Sequence, residues 1–148
     1  MKTFIYTFQV NAPLAKVAEF HRDTRALKHL SPPPMFMQLH QVEALGEGSK
    51  AEFTMWLGPI PIRWVAVHSE VDALHGFTDT QVEGPLKTWQ HTHRFDALGE
   101  KKTQVKERIQ YEYQSGLKGF LSRVLFNPVG LKIMFGYRAW VTRRMVKA

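Results

Sequence analysis

The 148 residues predict an α+β fold: one curved antiparallel sheet of about seven strands with a long C-terminal helix against it. Three observations carry that expectation. The chain opens on an alternating strand-like segment followed by a helical pattern. Its middle is a succession of short alternating segments separated by turn residues. From Leu117 onward the apolar spacing becomes helical. A meander of hairpins buries one face, and a helix laid on the concave side is the available cover. Residues 1–148 read as a single domain, long enough to bury a core without staples. Because such a sheet is longer than one helix can fill, a cavity between them is expected.

Each element has its own justification. In residues 3–10, Phe4, Tyr6, Phe8 and Val10 alternate with Ile5, Thr7 and Gln9, as a strand requires. Asn11 and Pro13 then suit a helix start. A helix is predicted over 13–28, with Val17, Phe20, Thr24 and Leu27 on one side. Ser31-Pro32-Pro33-Pro34 must end it, since proline offers no donor and restrains the residue before it. Strands are predicted over 36–45, 50–57, 61–72, 76–83, 87–96 and 103–113. The breaks between them carry Gly46, Gly48, Gly58-Pro59, Gly76 and Gly84-Pro85, all turn chemistry. Asn127-Pro128 and Gly130 divide the helical remainder into a short piece and a long terminal helix.

Composition narrows the function classes. The chain has no cysteine, which excludes disulfides, thiolate metal sites and a cysteine nucleophile. The opening MKTFIYTFQVNAP is too short and too broken by Gln9 and Asn11 for a membrane span, and no small-residue cleavage site follows. A cytoplasmic location is the expectation. The net charge of +7 is uneven, because Lys118, Arg123, Lys132, Arg138, Arg143, Arg144 and Lys147 follow Glu112 with no acid among them. No nucleic-acid motif accompanies these cations, so a nucleic-acid partner is not expected. Ile133, Tyr137 and Trp140 share the outer side of the terminal helix with Lys132, Arg143 and Arg144. That mixture suits weak contact with a membrane surface, a strand edge or a homodimer partner.

The stretch K-T-W-Q-H-T-H-R-F-D at 87–96 points to a site. Trp89, His91, His93 and Phe95 fall on one parity, so two imidazoles share a core-type face with two aromatic rings. The turn at 84–86 sets Asp79 opposite His91 and Gln81 opposite Trp89. Keeping Phe95 and Val105 on one face sets His93 opposite Glu107, His91 opposite Ile109 and Trp89 opposite Tyr111. Opposed side chains approach closely enough for Asp79–His91 and His93–Glu107 hydrogen bonds.

The terminal helix adds a cation. Leu131, Met134, Phe135, Val141, Met145 and Val146 form one apolar sector, and Arg138 projects from its middle. A guanidinium there needs a carboxylate, carbonyls or an anionic ligand, and Glu107 is the nearest candidate. These groups read either as satisfied structural pairs or as the wall of a ligand cavity, joined by Trp89, Gln81, Tyr111, Tyr113 and Met134. His-x-His is also a geometrically feasible metal pair, but Arg138 beside it would repel a cation, so no metal and no cofactor are expected. Acid–base catalysis by the same histidines is not separated from binding by the sequence.

Four stretches together resemble a known superfamily: L-S-P-P-P at 30–34, G-P-I-P-I-R-W-V-A at 58–66, G-F-T-D-T-Q-V-E-G-P-L-K-T-W-Q-H-T-H-R-F at 76–95 and M-F-G-Y-R at 134–138. They are similar to the SRPBCC, START-like helix-grip proteins, and within them to the bacterial polyketide-cyclase/dehydrase-like branch. The resemblance implies a seven-stranded sheet wrapped around the C-terminal helix, with two short helices after the first strand. It also implies a cavity for a small hydrophobic or amphipathic molecule of lipid, polyketide or aromatic type. It supplies no catalytic motif for particular positions. The expected function is therefore a binding or carrier protein. A cyclase- or dehydratase-type enzyme using His91 or His93, and a peripheral lipid-transfer module, stand as alternatives.

Overall fold

The alternating segments form strands, and all of them join one antiparallel sheet. In chain order the elements are β1 (Lys2–Val10), α1 (Leu14–Arg22), β2 (Met35–Val42), β3 (Lys50–Leu57), β4 (Ile60–Asp72), β5 (Gly76–Glu83), β6 (Thr88–Gly99), β7 (Lys102–Glu112), α2 (Gly116–Leu125) and α3 (Pro128–Met145). The sheet order is β1-β7-β6-β5-β4-β3-β2. Each strand from β2 to β7 pairs with its sequence neighbour, and β1 returns beside β7. The structure, a computed structural model, describes residues 1–23, 26 and 28–147. Among these no helix is long and apolar enough to cross a membrane.

One predicted boundary moves substantially. The helix expected over 13–28 is helical only over Leu14–Arg22, and Asp23 leaves it in an extended conformation. Beyond it the Ala26 amide donates to the Asp23 carbonyl and the His29 amide to the Ala26 carbonyl, each an i→i+3 bond. Val17 is buried as expected and Phe20 packs beside it. Thr24 and Leu27, placed on the same face by the sequence, lie outside the described residues.

The registers of the site hairpins agree with the parity argument. Asp79 pairs with His91 across β5–β6. His93 pairs with Glu107, His91 with Ile109 and Trp89 with Tyr111 across β6–β7. The β5–β6 ladder stops at Thr80–Gln90, so Gln81 does not reach Trp89. Gln81 instead clamps the following turn, accepting from the Leu86 amide at 3.2 Å and donating to its carbonyl at 2.8 Å.

Two apolar clusters fill the concave side. One joins Phe53, Trp64, Trp89 and Ile109 of the sheet to Phe126, Leu131 and Phe135. The other joins Phe8, Phe95 and Val105 to Val17 of α1 and Ala139 of α3. Side chains as buried as Phe95 and Phe135 contribute roughly 1.5–3 kcal/mol each. The buried face of α3 runs through Leu131, Phe135, Ala139 and Thr142, with Val141 also covered, while Met145 is exposed. That corrects the expected sector. The small Ala139 lets α3 lie close to the sheet, and the helix turns so that Arg138 sits at the margin of the buried face, half-buried.

Candidate functional site

Strand parity brings His91 and His93 to the concave face beside two carboxylates. The ring centroids are 3.8 Å apart, and Phe77 stacks on His93 at 4.3 Å. His91 Nε2 lies 2.5 Å from Glu107 Oε2, and His93 Nε2 lies 2.8 Å from Asp79 Oδ2. The directly opposed pairs are looser. His91 Nδ1 is 3.7 Å from Asp79, and His93 Nδ1, at 3.0 Å from Glu107, is not aligned to bond it. The expected pairs are thus exchanged. Strand side chains lean along the strand, so each ring bonds the carboxylate that opposes its neighbour.

Burial and charge set the protonation of this cluster. Glu107, almost fully buried, would be raised by burial, yet the imidazoles of His93 and then His91 hold its carboxyl well below the usual range. Asp79 is lowered against burial by the same two rings. For His93 burial opposes the charge, but Glu107 and the bond to Asp79 outweigh it and raise the group to about 9. Burial, followed by the charge of His93, lowers His91. The cluster therefore holds an imidazolium at His93 between two carboxylates, with His91 neutral beside it.

Asp79, His91 and His93 also bring donor atoms within 4.8 Å of one another. A shared cation needs ring lone pairs that converge on it. Here the two rings are close but tilted, at an interplanar angle of 31°, and each is already bonded to a carboxylate. The geometry is that of a proton-linked network.

Above the network lies a largely apolar cavity of ≈ 110 Å³. Of the residues expected to form a site, Arg138, His91, His93, Asp79, Trp89 and Met134 line it. Four do not. Glu107 stands behind the histidines, and Tyr111 belongs to the core cluster. Tyr113 donates to the Phe126 carbonyl at 2.6 Å, and Gln81 holds its turn. Arg138 makes no ion pair with Glu107, which is engaged by both histidines; its guanidinium lies 5.1 Å from the centre of the Phe135 ring. No carboxylate lies within ion-pair distance of Arg138 among the described residues.

Two wall histidines were missed by the sequence reading. His21 donates from Nδ1 to the Val17 carbonyl at 2.8 Å, and its ring lies 4.7 Å from Phe95. Burial lowers it to about 4, so it is a neutral imidazole whose Nε2 carries the lone pair. Its signal was its position four residues after Val17, on the same helix face. His68 bonds Ser49 Oγ at 2.9 Å and continues the inward parity of Ile62, Trp64 and Ala66.

No family model matches the chain, and no curated protein matches it. Solved structures do. Protein CV1439 from Chromobacterium violaceum aligns over 100% of this chain and 99% of its own, with a TM-score of 0.80 at 11% identity. Norcoclaurine synthase from Thalictrum flavum covers 97% of this chain and 92% of its own, with a TM-score of 0.71 at 16% identity. An aromatase/cyclase from a Streptomyces species covers 97% and 95%, with a TM-score of 0.69 at 16% identity. Such identities speak for architecture alone. The curved seven-stranded sheet closed by α3 is the same architecture, and the chain has the helix-grip fold that these structures share.

Proposed function

We propose that the protein binds a small, largely apolar molecule with one acidic or polar end in the cavity between the sheet and α3. The observation that carries this reading is Arg138. It is a half-buried cation on an apolar wall, and no carboxylate pairs with it among the described residues. A guanidinium so placed offers a planar set of donors to a ligand carboxylate or carbonyl. Volume limits the ligand, since an engineered apolar cavity of about 150 Å³ takes up benzene. At ≈ 110 Å³ the present space suits little more than one small ring. A lipid- or polyketide-sized molecule would have to displace part of the wall. One structure of the Thalictrum enzyme holds dopamine and hydroxybenzaldehyde, single-ring compounds of the size this reading favours.

The test is native mass spectrometry of the protein as purified, then thermal melts with benzoate, benzaldehyde and benzene. Benzoate should raise the melting temperature most, by about 2–4 °C per kcal/mol of binding. Arg138→Met should melt within about 1 kcal/mol of the parent, because no ion pair is broken, and should lose the preference for benzoate over benzaldehyde. If nothing co-purifies and no probe shifts the melt, the reading fails.

His21 supports a second reading, catalysis within the same cavity. Its neutral imidazole, whose Nε2 has no hydrogen-bond partner among the described residues, fits a general base better than His91 or His93, both held by carboxylates. A His21→Gln protein that keeps binding but loses single-turnover conversion of a carbonyl substrate would establish it. Equal turnover in both proteins would end it.

A further inference from the structure

We propose that the outer face of α2 and α3 docks on an anionic lipid surface. On α2, Leu117, Phe120 and Val124 follow at three- and four-residue spacing and are all more than half exposed, Leu117 by 94%. On α3, Val129, Ile133 and Trp140 follow at four- and seven-residue spacing, again on one face, and are also more than half exposed. Six large apolar side chains, all more than half exposed and concentrated on two consecutive helices, are more than singly scattered surface residues. No described element covers it.

Charge selects the occupant. Lys118 and Arg123 flank the apolar face of α2, and Lys132 and Arg144 flank that of α3. No carboxylate side chain follows Glu112 anywhere in the chain. A second copy packed patch to patch about a two-fold axis would bring these cations against each other, which opposes dimerisation through this face. A lipid surface accepts both components. The apolar tips enter the acyl boundary, while the cations remain at the level of the phosphates. The Arg144 guanidinium lies 4.9 Å from the Trp140 ring, pairing an aromatic with a cation as the headgroup region favours. The inner side of α3 supplies Met134 and Arg138 to the cavity, and the α2–α3 junction supplies Phe126, so docking would seat the cavity wall next to the bilayer. The docking surface goes beyond ligand binding and stands whatever the cavity holds.

The experiment is flotation of the full chain with phosphatidylcholine vesicles, with and without phosphatidylglycerol. The protein should float only with the anionic vesicles and be released by high salt. Phe120→Ser together with Ile133→Ser, or Leu117→Ser alone, should lower partition about tenfold or more through lost apolar insertion. Replacing Lys118, Arg123 and Lys132 by Gln should lower it about fivefold per cation. These side chains are exposed, so unchanged thermal melts serve as the folding control. Failure to float with anionic vesicles overturns the proposal. So does unchanged partition of the serine variants, which would mean adsorption through charge alone. Self-association of the parent that the serine variants abolish, with no vesicle binding, would assign the face to a second copy instead.

Discussion

Glu107 is the single side chain on which the buried network turns. It is 1% exposed and touches both imidazoles, and its carboxylate holds His93 protonated against the cost of burial. Glu107→Gln removes that charge while keeping the shape, leaving His93 between one carboxylate and apolar rings. Stability should fall by about 3–5 kcal/mol, as for other broken buried pairs, and the His93 titration followed by NMR should move down. A variant that melts like the parent would show that Glu107 and the histidines are not coupled. Arg143, which the sequence places on the outer side of the terminal helix, has a partner within the fold. Its Nε donates to the Gln9 carbonyl at 2.9 Å and its guanidinium lies over Phe8, so it ties α3 to β1.

At the scale of elements, the site depends on how closely β5 lies against β6. Gly76 opens β5 at φ +132°, and a Cβ there would stand 1.8 Å from the His93 carbonyl oxygen. No rotamer relieves a clash with backbone, so Gly76→Ala should push β5 away from His93 and separate Asp79 from its ring. The expected result is a loss of more than about 3 kcal/mol, together with a fall in the His93 pKa. An alanine variant with parental stability and titration would show that the strand end carries no such constraint. The α2–α3 junction is held more conventionally, with the Asn127 side chain accepting from the Gly130 amide at 2.8 Å to cap α3.

For the whole molecule, shifted histidines of both signs set the pH dependence: His93 is raised, while His21 and His91 are lowered, so that both of these add to the loss on acidification. His93 is raised from 6.5 to about 9, so the folded state keeps a proton that the unfolded chain has released. Its stabilisation is complete below about pH 6.5 and is lost as pH rises toward 9. His21 is lowered from 6.5 to about 4, so on acidification the unfolded chain takes up a proton first, and stability drains between those values. Asp79 and Glu107, both depressed, add to the acid loss. Stability should therefore peak near pH 6.5 and fall on either side, at most by about 1.4 kcal/mol per pH unit for each group. Denaturant melts across that range check it, and His21→Gln should flatten only the acid limb.

Periodicity by itself determined the strand–helix–meander–helix order, the inward face of His91 and His93, and the pairing of Asp79 with His91 and of Glu107 with His93. These are local properties, because a strand's two-residue period and a hairpin's turn set facing and register together. The tertiary structure alone decided what those residues do to one another. The exchange of carboxylates between the two rings depends on side-chain lean and on Phe77, which no spacing records. The rotation of α3 that moves Arg138 to the margin and exposes Met145 follows from how closely Ala139 lets the helix approach β1. His21 enters the cavity wall because α1 ends at Arg22 and docks on Phe95. Helical spacing ranks positions around an axis, but the angle at which a helix meets a sheet is set by packing between distant segments.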